Sequence, residues 1–200
     1  MILNINLIIL DLYLMLIYNF KILVWNLLKE KVIGMFDIKV FENLSIESKL
    51  DNMLIMLEGL MNNEDLSITK LCNASALINA LIGRINWCGF YLAKDNELIL
   101  GPFQGMPACT KIEIGKGVCG TSALKRETLV IKDVHKFKGH IACDAASNSE
   151  IVVPIVKDDK LIGILDLDSD EFDRFTELEK DYLERSVLIL NKYINWENII

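Results

Sequence analysis

The chain has 200 residues, 52% of them hydrophobic, with a formal charge of −7 and a pI near 4.9. That length and apolar share support one sizeable core, and the acidic balance excludes nucleic acid as an expected partner, because phosphates reward clustered Lys and Arg. Its five cysteines are too few and too scattered for a secreted disulfide framework; with no signal-peptide cleavage pattern, a cytoplasmic protein with reduced thiols is expected.

Residues 1–34 differ from the rest. They are dominated by Ile, Leu and Asn, and Asp11 and Glu30 against Lys21, Lys29 and Lys31 give +1, leaving −8 for residues 35–200. The run Leu12–Leu28 is apolar except for Asn19, Lys21 and Asn26, marginal against the roughly 20 residues a membrane span needs. A weak anchor, an extra amphipathic helix and upstream sequence ahead of a start at Met35 are the competing readings. We take the last, since Met35-Phe36-Asp37 opens an ordinary globular pattern, and membrane association is expected only if the extension is real. Function is expected in 35–200.

From there the periodicity predicts a helix over Asn43–Met61, capped by Ser45 with Ser48, and a second over Asp65–Ile85. Cys72 in the second is read as packing. Asn86–Ala93 is aromatic and extended, Lys94-Asp95-Asn96 is a turn, and Glu97–Pro102 completes a hairpin. Phe103–Cys109 reads as loop and Thr110–Ile114 as a short strand. Gly115–Ala123 lacks the G-x-x-x-x-G-K-[ST] spacing of a phosphate loop and predicts a tight turn into a short helix ending near Arg126. Leu129–Ile131 is a strand, Asp133–Glu150 a long loop, and Ile151–Val156 and Lys160–Asp168 a second hairpin. A final helix, Thr176–Trp196, has Thr176 and Glu179 as its capping box. The order predicts an α+β domain with a central antiparallel sheet and helices on one face.

The long loop carries Cys143, with His140 before it and Glu150 after it. A loop mounted on strands gives a reactive thiol partial exposure and polar surroundings. Cys109, Cys119 and Cys143 fall in or beside three loops of the predicted sheet, and no two form the short C-x₂₋₄-C pair of structural zinc sites. A Cys₃His site with His135 or His140 stays open, but thiol redox chemistry fits better, one thiol attacking and another resolving. Asp166 and Asp168 alternate, so they share one strand face, as do Trp87 and Tyr91. Asp166 and Asp168 suit a solvated face, or, together with Glu150, a pocket in which mutual repulsion raises a pKa. The aromatics suit core packing or a pocket wall.

Several stretches resemble the GAF-domain free methionine-(R)-sulfoxide reductases: Asn86-Trp87-Cys88-Gly89-Phe90-Tyr91, Leu100-Gly101-Pro102-Phe103-Gln104-Gly105, Gly115-Lys116-Gly117-Val118-Cys119-Gly120-Thr121 and Gly139-His140-Ile141-Ala142-Cys143-Asp144. The likeness continues through Ser149–Pro154 and Gly163–Ser169 and spans Asn43–Trp196. It implies a GAF-like fold and an oxidoreductase acting on the free amino acid, methionine sulfoxide, rather than on protein-bound residues. Cys143 matches the family's nucleophile, Cys109 its principal resolving thiol and Cys119 a third redox cysteine. Glu150, Asp166 and Asp168 match the carboxylates that bind and protonate substrate, and Trp87 and Tyr91 match pocket aromatics. The resemblance further implies a sulfenic acid and then a disulfide, reset by thioredoxin and so indirectly by NADPH, with no bound cofactor and no metal. Cys88 and the 1–34 extension depart from the pattern. A non-catalytic GAF sensor of a small ligand or redox state is the alternative, and a homodimer would be unsurprising.

Overall fold

The computed structural model describes residues 37–62, 65–139, 146–197 and 199. The chain divides into two compact units, Met1–Val40 and Phe41–Ile200. The extension expected over 1–34, the boundary expected at Met35, and His140 and Cys143 all lie outside the described residues. Of the first unit, residues 37–40 are described; there Lys39 N–H donates to Asp37 Oδ1, within a 3₁₀ turn over Ile38–Phe41.

In the second unit, helices α1 (Ile46–Met61) and α2 (Ser67–Ile82) lead into β1 (Trp87–Lys94), β2 (Glu97–Gly105) and β3 (Lys111–Glu113). Helix α3 (Gly117–Lys125), β4 (Leu129–Ile131), a 3₁₀ turn (Val134–Lys136), β5 (Ser149–Lys157), β6 (Lys160–Ser169) and α4 (Glu177–Tyr193) follow. The strands form one six-stranded antiparallel sheet in the order β3-β2-β1-β6-β5-β4. Both edge strands are only three residues long, which limits the open backbone an edge offers to another chain.

Alternation along the central strands sorts their side chains between two cores. Cys88, Phe90 and Leu92 of β1, Ile151, Val153 and Ile155 of β5, and Leu165 and Leu167 of β6 face the larger core, with α1, α2 and α4. Trp87, Tyr91, Val152 and Ile164 face a smaller core completed by Val118, Cys119 and Ala123 of α3. The three long helices thus cover one face, as expected, and the short α3 covers the other. Because both faces are covered, β1 is buried along nearly its whole length.

The helix ends follow their sequence signals. Ser45 caps α1 by accepting from Ser48 N–H at 3.2 Å. At α4, Thr176 and Glu179 form the expected capping box. Cys88 is buried on the face opposite Trp87, as read. Two expectations need correction. Cys72 is exposed rather than packed, because it falls on the outer side of α2, away from Leu71, Ala74 and Ile78. Phe103-Gln104-Gly105 is strand rather than loop: Cys88 pairs with Gln104 and Gly89 with Phe103, so β2 continues beyond Pro102.

The buried ion pair Arg174–Glu179 ties the β6–α4 connection to α2. Its nitrogen–oxygen distance is 2.5 Å, and the second guanidinium nitrogen donates to Ile82 and Gly83 carbonyls at 2.9 Å. Removing the cation leaves a buried carboxylate without its partner. Arg174→Ala should therefore lose about 3 kcal/mol or more in urea unfolding, and pairing Arg174→Met with Glu179→Leu should recover much of that loss.

Candidate active site

Strand register alone gathers the carboxylates. Gly89 of β1 pairs with Asp166 of β6, Trp87 with Asp168, and Glu150 of β5 with Asp168. These cross-strand partners share the face covered by α3. Asp166 and Glu150 are each 5% exposed, so the alternating Leu-Asp pattern of β6 does not mark a solvated face. Asp168 is half-buried at the strand's end.

Helix α3 brings the thiol. Cys119 Sγ lies 3.3 Å from Glu150 Oε1 and 3.2 Å from Asp166 Oδ2, and Ser122 of the same helix donates to Val152 O at 3.4 Å. The helix can come this close because of Gly120, where a Cβ would overlap the Glu113 carbonyl. Cys119 Sγ and one oxygen each of Glu150 and Asp166 lie within 4.8 Å of one another, a donor set able to hold a divalent cation. The second oxygen of Asp166, Oδ1, is buried and has no hydrogen-bond partner among the described residues.

Burial dominates the electrostatics. It raises Glu150 well above the usual carboxylate range, and the neighbouring Asp166 and Asp168 charges push it further. Asp166 rises from 3.8 to about 7 through burial, against hydrogen bonds from Cys119 and Glu150 that favour its charged form. Burial, then the same carboxylates, hold the Cys119 thiol protonated, so it donates. Glu150 and Asp166 titrate as one unit, and near neutral pH that unit keeps a proton.

The aromatics form a stack. Trp87 lies 5.9 Å from Tyr91 and 5.4 Å from Phe103 between ring centroids, with interplanar angles of 27° and 13°. A Cβ on Gly89 would overlap Phe103 Cβ and sit 2.6 Å from the far edge of the Trp87 ring, so only glycine lets the indole lie flat here. Trp87 Nε1 donates to Met106 O at 3.1 Å, and Tyr91 Oη donates to Cys109 O at 3.0 Å. Cys109 is in a disulfide, whereas Cys72, Cys88 and Cys119 are free thiols. The remaining cysteine, Cys143, lies outside the described residues.

Sequence reasoning missed two features. Phe103 joins the aromatic stack, a role its assignment to a loop concealed; its aromatic character next to Gly101-Pro102 was the available signal. Ser147-Asn148-Ser149, read only as polar loop, fasten the far end of the Cys143 loop. Asn86 Nδ2 donates to Ser147 Oγ at 3.2 Å, Asn148 backbone N–H to Ser169 O at 2.7 Å, Asn148 Nδ2 to Asp170 O at 2.7 Å, and Ser149 Oγ to Glu171 O at 2.6 Å. His135, weighed as a zinc ligand, instead meets Asn148 Oδ1 at 2.9 Å.

Known proteins resemble this chain in sequence and in fold. A GAF domain family model matches residues 74–187. The chain is 50% identical over 136 residues to the free methionine-R-sulfoxide reductase of Escherichia coli, covering 68% of this chain and 82% of that protein. It is 44% identical over 158 residues to the enzyme of the same name from Saccharomyces cerevisiae, covering 75% and 88%. The structure superposes with a TM-score of 0.74 on the free methionine-R-sulfoxide reductase of Neisseria meningitidis in complex with its substrate, at 37% identity, covering 78% of this chain and 94% of that one.

The raised pKa of Asp166 has a consequence for stability. The folded protein binds this proton more tightly than the unfolded chain, so this contribution is full below about pH 4 and is lost as pH rises through about 7. Asp166→Asn removes the ionisation. Its melting temperature should match that of the parent near pH 4 and exceed it increasingly towards pH 8, in a series of thermal melts.

Proposed function

The chain belongs to the GAF-domain family of free methionine-(R)-sulfoxide reductases, and from that premise we propose that it reduces free L-methionine-(R)-sulfoxide to L-methionine by cysteine chemistry. The observation that carries the reading is the buried Glu150–Asp166 pair, a proton-holding acid on the same sheet face as the Trp87–Tyr91 stack.

A sulfoxide sulfur becomes a good electrophile only once its oxygen is protonated, which needs an acid still protonated near neutral pH. The Glu150–Asp166 pair has that property because burial disfavours its second negative charge. With the oxygen protonated, the Cys143 thiolate attacks sulfur; the hydroxyl then passes from that sulfur to the Cys143 sulfur as the methionine sulfur loses its bonds to both, and methionine leaves as the thioether. The oxygen stays on Cys143 as a sulfenic acid. Cys109 then condenses with it to a disulfide and water. The disulfide engagement of Cys109 supports its resolving role. Cys119, hydrogen-bonded to both carboxylates, holds the acid pair in place and is the second candidate resolving thiol.

Substrate selection follows from charge and shape. The S-methyl group packs on the Trp87 ring, whose face also favours positive charge developing at sulfur. Asp166 and Asp168 meet the substrate ammonium, which a residue inside a peptide does not carry, so the free amino acid is preferred. A thioredoxin-type dithiol returns the disulfide to thiols by exchange. Among the described residues no helix is long and apolar enough to cross a membrane.

The test is NADPH consumption with thioredoxin and its reductase, using free L-methionine-(R)-sulfoxide, the (S) epimer and a peptide-bound sulfoxide in separate reactions. Turnover is expected with the free (R) form alone and should vanish in Cys143→Ser. Folded, reduced protein that turns over none of the three would favour a non-catalytic GAF sensor.

A further inference from the structure

The polar tips of the two aromatics, Trp87 and Tyr91, are committed to backbone. Between the end of β2 at Gly105 and the start of β3 at Lys111, residues 106–110 take neither helix nor strand, and this segment carries Cys109. Its flanks are held by the sheet: Gly105 pairs with Trp87, and Leu100 N–H donates to Thr110 O at 3.0 Å. Inside it, the Met106 carbonyl is held by Trp87 Nε1 and the Cys109 carbonyl by Tyr91 Oη. Both rings are buried, and the stack with Phe103 leaves them little freedom to swing. Burial and the nearby Asp166 charge raise the Tyr91 phenol, so it remains an O–H donor across the working pH range.

A tether at the Cys109 carbonyl sits on the same residue as its sulfur. An untethered segment would sample many orientations, and closing a bond from such an ensemble costs conformational entropy in the transition state. We propose that Tyr91 is a positioning residue for the resolving step: its hydroxyl fixes the backbone of Cys109 so that this thiol is presented to the sulfenic acid on Cys143. The inference rests on the reading of Cys143 as nucleophile and Cys109 as resolving thiol. In the step itself the Cys109 sulfur bonds to the Cys143 sulfur, and the sulfur–oxygen bond of the sulfenic acid breaks. The departing hydroxide takes the thiol proton and leaves as water. The oxidant is the sulfoxide already consumed. A slow step would leave the sulfenic acid exposed to further, irreversible oxidation.

Tyr91→Phe keeps the ring and its stacking and removes only the donor. Fully reduced protein would be mixed with one equivalent of free L-methionine-(R)-sulfoxide and quenched over time. Released methionine would be followed by chromatography, and sulfenic acid and disulfide by dimedone trapping and mass spectrometry. The expected result is disulfide closure slowed about five- to tenfold, the scale of one lost hydrogen bond, and slowed by a larger factor than methionine release. In a Cys109→Ser background, Tyr91→Phe should leave the sulfenic acid lifetime unchanged, which a general loss of structure would not do. Unchanged closure, or an equal fall in both steps, overturns the proposal; the second outcome would make Tyr91 a substrate contact only. Absence of methionine release from the parent protein would instead overturn the reductase reading. Should Tyr91→Phe not fold, Pro107→Gly loosens the same segment without touching Tyr91. It should slow closure while sparing methionine release, and normal closure in it would count against the proposal.

Discussion

The site depends on one constraint: the central strands β1, β6 and β5 are covered on both faces. A sheet with one wet face would leave Glu150, Asp166 and Asp168 in water, ionised and unremarkable. Here α3 covers that face, and register places Glu150 opposite Asp168 and Asp166 opposite Gly89. Glu150 and Asp166 are desolvated beside another carboxylate and a thiol, and the least costly response is to keep a proton.

A contrast within the same molecule shows that the neighbours decide the sign. Glu150 and Glu179 are both 4–5% exposed. Burial pushes Glu179 up as well, but hydrogen bonds from Thr176 and Arg174 outweigh it and hold its pKa low. Glu150 meets a thiol and two further carboxylates, and its pKa rises. The first arrangement is a structural clamp between α4 and the end of α2. The second is a store of protons beside an aromatic stack. Both use a buried glutamate; only the second can give up a proton to a bound molecule.

Close approach is the second recurring device. Gly120 lets α3 sit against the Glu113 carbonyl, which brings Cys119 within hydrogen-bond reach of the acid pair. Gly89 lets the Trp87 indole lie flat in its stack with Tyr91 and Phe103. The aromatics in turn hold the segment bearing Cys109. Backbone geometry, ring packing and thiol placement are therefore linked through β1, and a change in one strand reaches the acid pair and the Cys109 segment together.

Local signals in the sequence determined most of the architecture. Helical spacing and the capping residues Ser45 and Thr176 marked α1 and α4, and strict alternation in Leu165-Asp166-Leu167-Asp168 settled that the two aspartates share a face. The family motifs point to Cys109, Cys119, Glu150, Asp166 and Asp168 as the site. What these signals did not decide was what covers each face, because that depends on contacts between elements far apart in the chain. Cys72 shows this: its helix is amphipathic, but which side meets the sheet is a tertiary matter. Phe103 shows it too, since strand continuation past Pro102 depends on pairing with β1. Only the tertiary structure decided that the face bearing Asp166 is dry, since burial by α3 and the three-strand register, neither of them a property of any short stretch, change a surface carboxylate into an acid.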